Sequence, residues 1–198
     1  MRFDLDRGRI LLSDDEPQLL VPASVLVSLA TGAMGARDVG RVLGGTLLAR
    51  IAARLQRSAE GEAAPSDTLS SVREASLETV VEWLGCELAL TGLGSLAVER
   101  WGRALVLVFE PCALDARADE LLEGLVEAAL GNLSDDDLGA VVVDRSEQHA
   151  RVLVVHASLC EAVAEMRASG VGLVDIVQAL HRGEGAAGGE PGTPEGAG

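Results

Sequence analysis

One pattern occurs twice in this sequence and narrows the available folds more than any other feature. The segment Leu93-Gly-Ser-Leu-Ala-Val-Glu-Arg100 is echoed by Leu138-Gly-Ala-Val-Val-Val-Asp-Arg145, and Leu105-Val-Leu-Val-Phe109 is echoed by Val152-Leu-Val-Val-His156. Each pair of apolar runs reads as a hairpin, the first turning at Trp101-Gly102. Each hairpin also follows a helical pattern. Leu77, Val80, Val81, Leu84 and Leu88 share one helical face, behind a capping box Ser71-x-x-Glu74 and ahead of Gly92 or Gly94. Residues Asp115 to Leu130 put Leu121, Leu122, Leu125, Val126 and Ala129 inward and close at Gly131. Two successive helix-hairpin units predict an α+β domain with a four-stranded, mostly antiparallel sheet packed with helices.

The remaining segments fit around that core. Gly8 to Leu12 and Gln18 to Val21 are short apolar runs on either side of an acidic turn, which predicts a hairpin or an extended entry. Helices are expected over Ala23 to Ala33 and Arg37 to Arg57, the second carrying Val39, Val42, Leu43, Leu47, Ile51 and Leu55 on one face. Gly40 and Gly44 lie one turn apart within it. Glycine weakens a helix interior, so this spacing marks a place where another backbone approaches closely. Ser58 to Asp67 reads as a loop. After the second hairpin, Ser158-x-x-Glu161 opens a helix to about Ala168, and Val171 to His181 forms a last amphipathic helix. Residues 1–182 are therefore expected to form one domain, and the Gly/Ala/Pro/Glu-rich stretch 183–198 a disordered tail.

Composition excludes some partners. With 16 basic and 31 acidic residues the formal charge is -15, which repels nucleic acid and anionic membrane surfaces. Aromatic residues make up 2% of the chain, so the core must be aliphatic and base-stacking platforms are not supported. All the basic residues are arginine, a bias that points to GC-rich coding and a bacterial source. The uncharged window Pro17 to Ala36 is interrupted by Pro17 and Pro22, diluted by Ser24, Ser28 and Thr31, and ends in Gly32 and Gly35, so no membrane span is expected. Cys86, Cys112 and Cys160 stand far apart, as small buried hydrophobes would in a reducing cytoplasm.

Nothing in the sequence carries a catalytic signature. It contains no phosphate loop, no nucleophile elbow and no His-Glu-x-x-His motif, and Gly92-Leu-Gly-Ser95 reads as a helix cap and turn. His149, His156 and His181 have no second ligand at metal spacing, and Asp135 to Asp137 lack the spacing of a calcium loop. No catalytic residue, metal or cofactor is assigned. Trp101 at a hairpin tip, with Val171, Val174, Val177 and Leu180 of the last helix, form the candidate interaction surface.

The segments Gly8-Arg-Ile-Leu-Leu12, Leu19-Leu-Val-Pro-Ala23, Val39-Gly-Arg-Val-Leu-Gly44, Leu90-Thr-Gly-Leu-Gly-Ser-Leu96 and Leu122-Glu-Gly-Leu-Val-Glu-Ala-Ala-Leu130 together give the chain a further likeness. Over residues 8–156 it resembles the vinyl-4-reductase domain, the bacterial and archaeal relatives of the small TRAPP tethering-complex subunits, also called hydrocarbon-binding proteins. It departs from them in having no cysteine or glycine in 141–155. The resemblance implies a dimerising α/β module with an apolar crevice and no catalytic residues. On this basis the expected function is a non-catalytic, homodimeric protein-interaction module in a cytoplasmic assembly, with protein partners unknown. The alternative is a sensor that encloses a lipid or other small hydrophobic molecule between the Gly40/Gly44 helix and the sheet. For such a pocket Gly40, Gly44, Leu47, Cys86 and Cys112 are the candidate lining.

Overall fold

The computed structural model describes residues 2–4, 9–11, 17, 18, 21, 23–32, 35–58, 70–131, 133 and 137–187. Three short strands, β1 (Arg2–Asp4), β2 (Arg9–Leu11) and β3 (Pro17–Gln18), pair antiparallel in the order β1-β2-β3. β2 and β3 are the two arms of the hairpin expected at the start of the chain, and β1 adds a third strand. The acidic turn, the loop expected after Ser58 and Asp135 lie outside the described residues.

Helices α1 (Ala23–Ala30) and α2 (Ala36–Ser58) follow. The single helix expected from Ser71 is instead two, α3 (Ser70–Glu74) and α4 (Leu77–Thr91). Ser76 is the reason. Its extended backbone breaks the helical path, and its hydroxyl accepts the Thr79 amide, so the N-cap is Ser76 and not Ser71. Gly92, at a positive φ of 76°, ends α4 as expected.

The first hairpin is β4 (Leu96–Trp101) and β5 (Ala104–Phe109), with Gly102 at φ 65° in a turn one residue later than expected, because Trp101 still pairs with Ala104. A 3-10 turn (Ala116–Ala118) capped by Asp115 leads into α5 (Asp119–Leu130). The second hairpin is β6 (Leu138–Arg145) and β7 (Ala150–His156). Another 3-10 turn (Ala157–Leu159) precedes α6 (Cys160–Ala168), and here the His156 ring, not Ser158, accepts the capping amide. The last helix, α7 (Leu173–Ala187), runs past His181 into the stretch expected to be disordered. Alanine at 186 and 187 favours helix, and the glycines at 183 and 185 do not stop it.

The four long strands form one antiparallel sheet in the order β4-β5-β7-β6, the α+β architecture expected from the repeat. Leu105 pairs with Val154 and Leu107 with Val152 around the central pair Val106 and Leu153. The sequence echo equates 105 with 152 and 107 with 154, so this register maps onto itself. The two units are therefore related by a local two-fold axis through the Val106 and Leu153 pair, with the second strand of each hairpin at the sheet centre.

Alternation along the strands sends side chains to two faces. The inner face, with Leu107, Phe109, Ala140, Val142, Ala150 and Val152, packs beneath α2, α4 and α5 in the main core. The outer face, with Val106, Val108, Val141, Val143 and Leu153, is covered by Val163 of α6 and by Ile176 and Val177 of α7. The result is helices, sheet, helices in three layers. Where α2 meets α5, a Cβ added at Gly40 or Gly44 would overlap the carbonyl oxygens of Leu121 and Leu125, and one at Gly124 would overlap that of Arg37. The close approach read from Gly40 and Gly44 is thus to α5, which carries a matching glycine of its own.

Candidate functional site

The same contact occupies the place where a pocket was expected. Gly40 and Gly44 are buried against the α5 backbone and Leu47 is 1% exposed in the core, so α5 fills the space between α2 and the sheet. Cys86 is exposed on α4, contrary to the expectation of three buried thiols. Cys112 is buried and accepts a contact from the Arg145 guanidinium at 3.4 Å. None of these five residues lines either of the two hollows found between the described elements.

The larger hollow lies elsewhere, at one end of the sheet, with a volume of about 550 Å³. Its walls come from six helices and strands and the turns between them. Leu105 of β5, Val154 of β7 and Leu138 of β6 form its floor at the end of the inner face, and Leu77 of α4 and Leu130 of α5 reach over it. Leu180 and His181 of α7 close it from the outer layer, while Arg103 and His156 complete the polar part of the wall. A second hollow of about 500 Å³ runs between α4 and β4, lined by Val81 and Val98 with Glu78, Glu82 and Arg100. Leu77 and Leu105 border both hollows and form their common wall.

The polar side chains of the larger hollow are held in defined ways. His156 Nδ1 lies 3.3 Å from the Ser158 amide and 2.8 Å from its hydroxyl. An amide can only donate, so Nδ1 accepts, and the neutral ring carries its proton on Nε2. His181 Nε2 is enclosed without a hydrogen-bond partner. Its Cε1 sits 2.6 Å from where a Cβ on Gly102 would be, so only glycine in the β4–β5 turn admits this ring.

Elsewhere the charged groups neutralise one another. Glu87, fully buried on α4, pairs with Arg54 at 2.8 Å and Arg50 at 3.7 Å, and Arg54 also lies over the Trp83 ring. Glu123 accepts the Val142 amide at 3.0 Å and pairs with Arg37. Burial pushes its carboxyl above the usual glutamate range, against the opposing pull of the Val142 amide and Arg37. On the outer face Glu99 and Asp144 both grip Arg151, and His149 adds a 3.0 Å contact to Asp144. The Asp144 carboxyl is lowered, chiefly by His149 and then Arg151, and Glu99 is lowered by Trp101 Nε1 and Arg151. The Cys160 thiol is raised, first by burial and then by Glu127. Such a thiol is a poor nucleophile. Among the described residues no group of three or more His, Cys, Asp or Glu is placed to hold a metal, and no helix is long and apolar enough to cross a membrane.

The interaction candidates are largely used by the domain itself. Trp101 is half-buried on the outer-face cluster with its Nε1 bonded to Glu99, so it is not an exposed hairpin tip. Val177 is buried, and Val171 and Leu180 are half-buried in the same layer. Val171 precedes α7, and of the four candidates Val174 alone is exposed, at 48%. The His181 site had no linear signal, since its walls are up to 106 positions apart in the chain, from Ala75 to His181.

No family model matches this chain, and no curated protein does so either.

Proposed function

We propose that this protein is a non-catalytic binding module that takes a small apolar molecule into the hollow at the end of its sheet. The observation that carries this reading is the hollow itself. It falls within the size range of small-molecule sites and is walled mainly by leucine and valine with a few polar groups. The charged side chains described above are engaged in ion pairs rather than gathered around a reacting centre, which supports a binding role. The likeness to the vinyl-4-reductase domain points the same way, toward an α/β module with an apolar crevice, though here the crevice is at the sheet end and not beside Gly40 and Gly44. Native mass spectrometry of the purified protein, before and after incubation with decanol, tests the reading. A bound copy in the wild type that is lost in Leu138→Trp, a substitution that fills the floor, is expected. No bound copy in the wild type would overturn it.

The homodimeric protein-interaction reading is favoured by a different observation. Helix α1 carries no charged residue, and Val25 at 41% and Leu29 at 64% stay exposed one turn apart on it. An eight-residue helix of this kind holds its shape only by packing, and a second copy of the chain would cover that face. Size-exclusion chromatography with light scattering is expected to give a dimer that Leu29→Asp converts to a monomer. A wild-type monomer at all accessible concentrations would remove this reading.

A further inference from the structure

We infer that the open edge of β4 takes an extended peptide as a fifth strand of the sheet, with an arginine or lysine of that peptide opposite Val98. The site is separate from the larger hollow, with which it shares only Leu77 and Leu105. β4 is an outer strand, and among the described residues no strand pairs with its free side. The Ser95 carbonyl accepts the Glu110 amide at 3.0 Å, which sets the phase of the β4–β5 ladder. Alternation then turns the backbone groups of Ala97, Glu99 and Trp101 toward β5 and those of Leu96, Val98 and Arg100 outward. A row of outward donors and acceptors is a template for one more strand.

The hollow of about 500 Å³ between α4 and β4 lies along this strand and gives the added side chains their chemistry. Helix α4 runs antiparallel to β4, because Glu78 near its start pairs with Arg100 and Gly85 farther on lies against Leu96. Glu82 is therefore level with Val98. It lines the hollow, is exposed, and holds no ion pair among the described residues. In an added strand the residue opposite Val98 projects to the same side of the sheet as Val98 itself. An arginine or lysine there lays its apolar stem on Val81 and Val98 and brings its charge to Glu82. The Arg100–Glu78 pair is 64% and 72% exposed, so it gives way at little cost. A formal charge of -15 also draws a cationic segment. A second copy of the chain fits this edge less well. Two β4 strands paired about a two-fold axis at Val98 would set one Glu82 carboxylate against the other and bring no cation to that level.

The probe is the fluorophore-labelled peptide Thr-Val-Thr-Arg-Thr-Val-Thr, with blocked ends, read by fluorescence anisotropy. Binding is expected to weaken about tenfold or more when glutamate replaces its arginine. N-methylation of the two valines and the arginine, whose amides face β4, is expected to abolish binding, whereas N-methylation of the two inner threonines leaves it. Glu82→Gln is expected to cut the preference for arginine over glutamate, and Glu161→Gln, the same charge change on α6, to leave it intact. Val98→Pro removes an outward donor without touching the ladder to β5 and is expected to weaken binding about tenfold or more. The methylated peptides make the same test should that variant not fold. Leu138→Trp is expected to bind the peptide like wild type, which keeps this site distinct from the decanol site. No binding by wild type, or equal loss with the two methylation patterns, would overturn the added strand. Equal binding of the arginine and glutamate peptides would overturn the cation opposite Val98. A wild-type dimer that Val98→Pro splits would give the edge to a second copy and overturn the peptide as its occupant.

Discussion

The two halves of the sheet begin from equivalent strands and end in different environments. β4 and β6 are both the first strand of a hairpin and both lie at a sheet edge, yet Ala97, Val98 and Arg100 of β4 are exposed while residues 139–143 of β6 are buried. Sequence accounts for part of the difference. Leu-Ala-Val-Glu-Arg-Trp interleaves apolar and charged residues, whereas Gly-Ala-Val-Val-Val is a continuous apolar run suited to a strand covered on both faces. Packing accounts for the rest. α6 lies on the outer face of β6, α5 on its inner face, and Glu123 accepts the Val142 amide, tying down an edge donor beside the bulge between Val142 and Asp144. That bulge has a further effect. It restores Asp144 to the face of Glu99, so equivalent carboxylates of the two units meet on the single guanidinium of Arg151. The comparison shows that a repeated sequence sets the topology of both halves, while the helices packed on them, α6 outside the repeat among them, decide which half is closed.

The sharpest way to break the comparison is to place one charge in each edge strand. Val141→Lys, which buries an ammonium, is expected to cost about 4 kcal/mol or more, and Val98→Lys to stay within about 0.5 kcal/mol of wild type, both by urea denaturation. Similar costs would mean that β4 is covered after all. Next come the mid-helix glycines of the two units. In α5, Gly124→Ala drives a methyl into the Arg37 carbonyl and should cost about 2–3 kcal/mol. In α4, a methyl at Gly85 would meet the Leu96 Cβ at an ordinary 3.5 Å, so Gly85→Ala should gain about 0.5–1 kcal/mol from helix propensity. A loss at Gly85 equal to that at Gly124 would show that the two helix contacts are alike.

Glu123→Ala comes third, at about 2 kcal/mol, because it strips the Val142 amide of its acceptor and leaves Arg37, itself a third exposed, with one carboxylate fewer. Glu123→Gln, which keeps an acceptor for the amide, should lose less. The smallest effect is one of sign. The folded Glu123 binds its proton more tightly than in the unfolded chain, so its contribution to stability falls as pH rises from the ordinary glutamate value through the raised one. Asp144 is lowered, so its contribution is present above the ordinary aspartate value and is lost as pH falls through the folded one. Denaturation of Glu123→Gln and Asp144→Asn against wild type across the acid range should give differences of opposite slope. Parallel slopes would refute the contrast.

Much of the fold is legible in the sequence. The echoed strands gave the hairpins, and β6 spans the echoed segment Leu138 to Arg145 from end to end. Gly40 and Gly44 announced a close backbone contact but could not name α5 as its partner, so the space reserved for a ligand beside them was misplaced. The buried carboxylates were overlooked although a signal existed. Glu87 lies between Leu84 and Leu88 on the apolar stripe of its helix, and Glu123 follows Leu121 and Leu122, both places where a carboxylate must find a partner inside.

Local spacing alone determined most of the helices, the strands and the two hairpins, because hydrophobic periodicity and turn residues act within a few positions of each other, and the repetition of the hairpin unit pointed to one sheet. The tertiary structure decided which edge is covered, where the leucines of five distant elements leave a hollow, and that His181 meets Gly102 beside it. A hollow is the volume that packed elements fail to fill, and no stretch of chain encodes it until those elements are brought together.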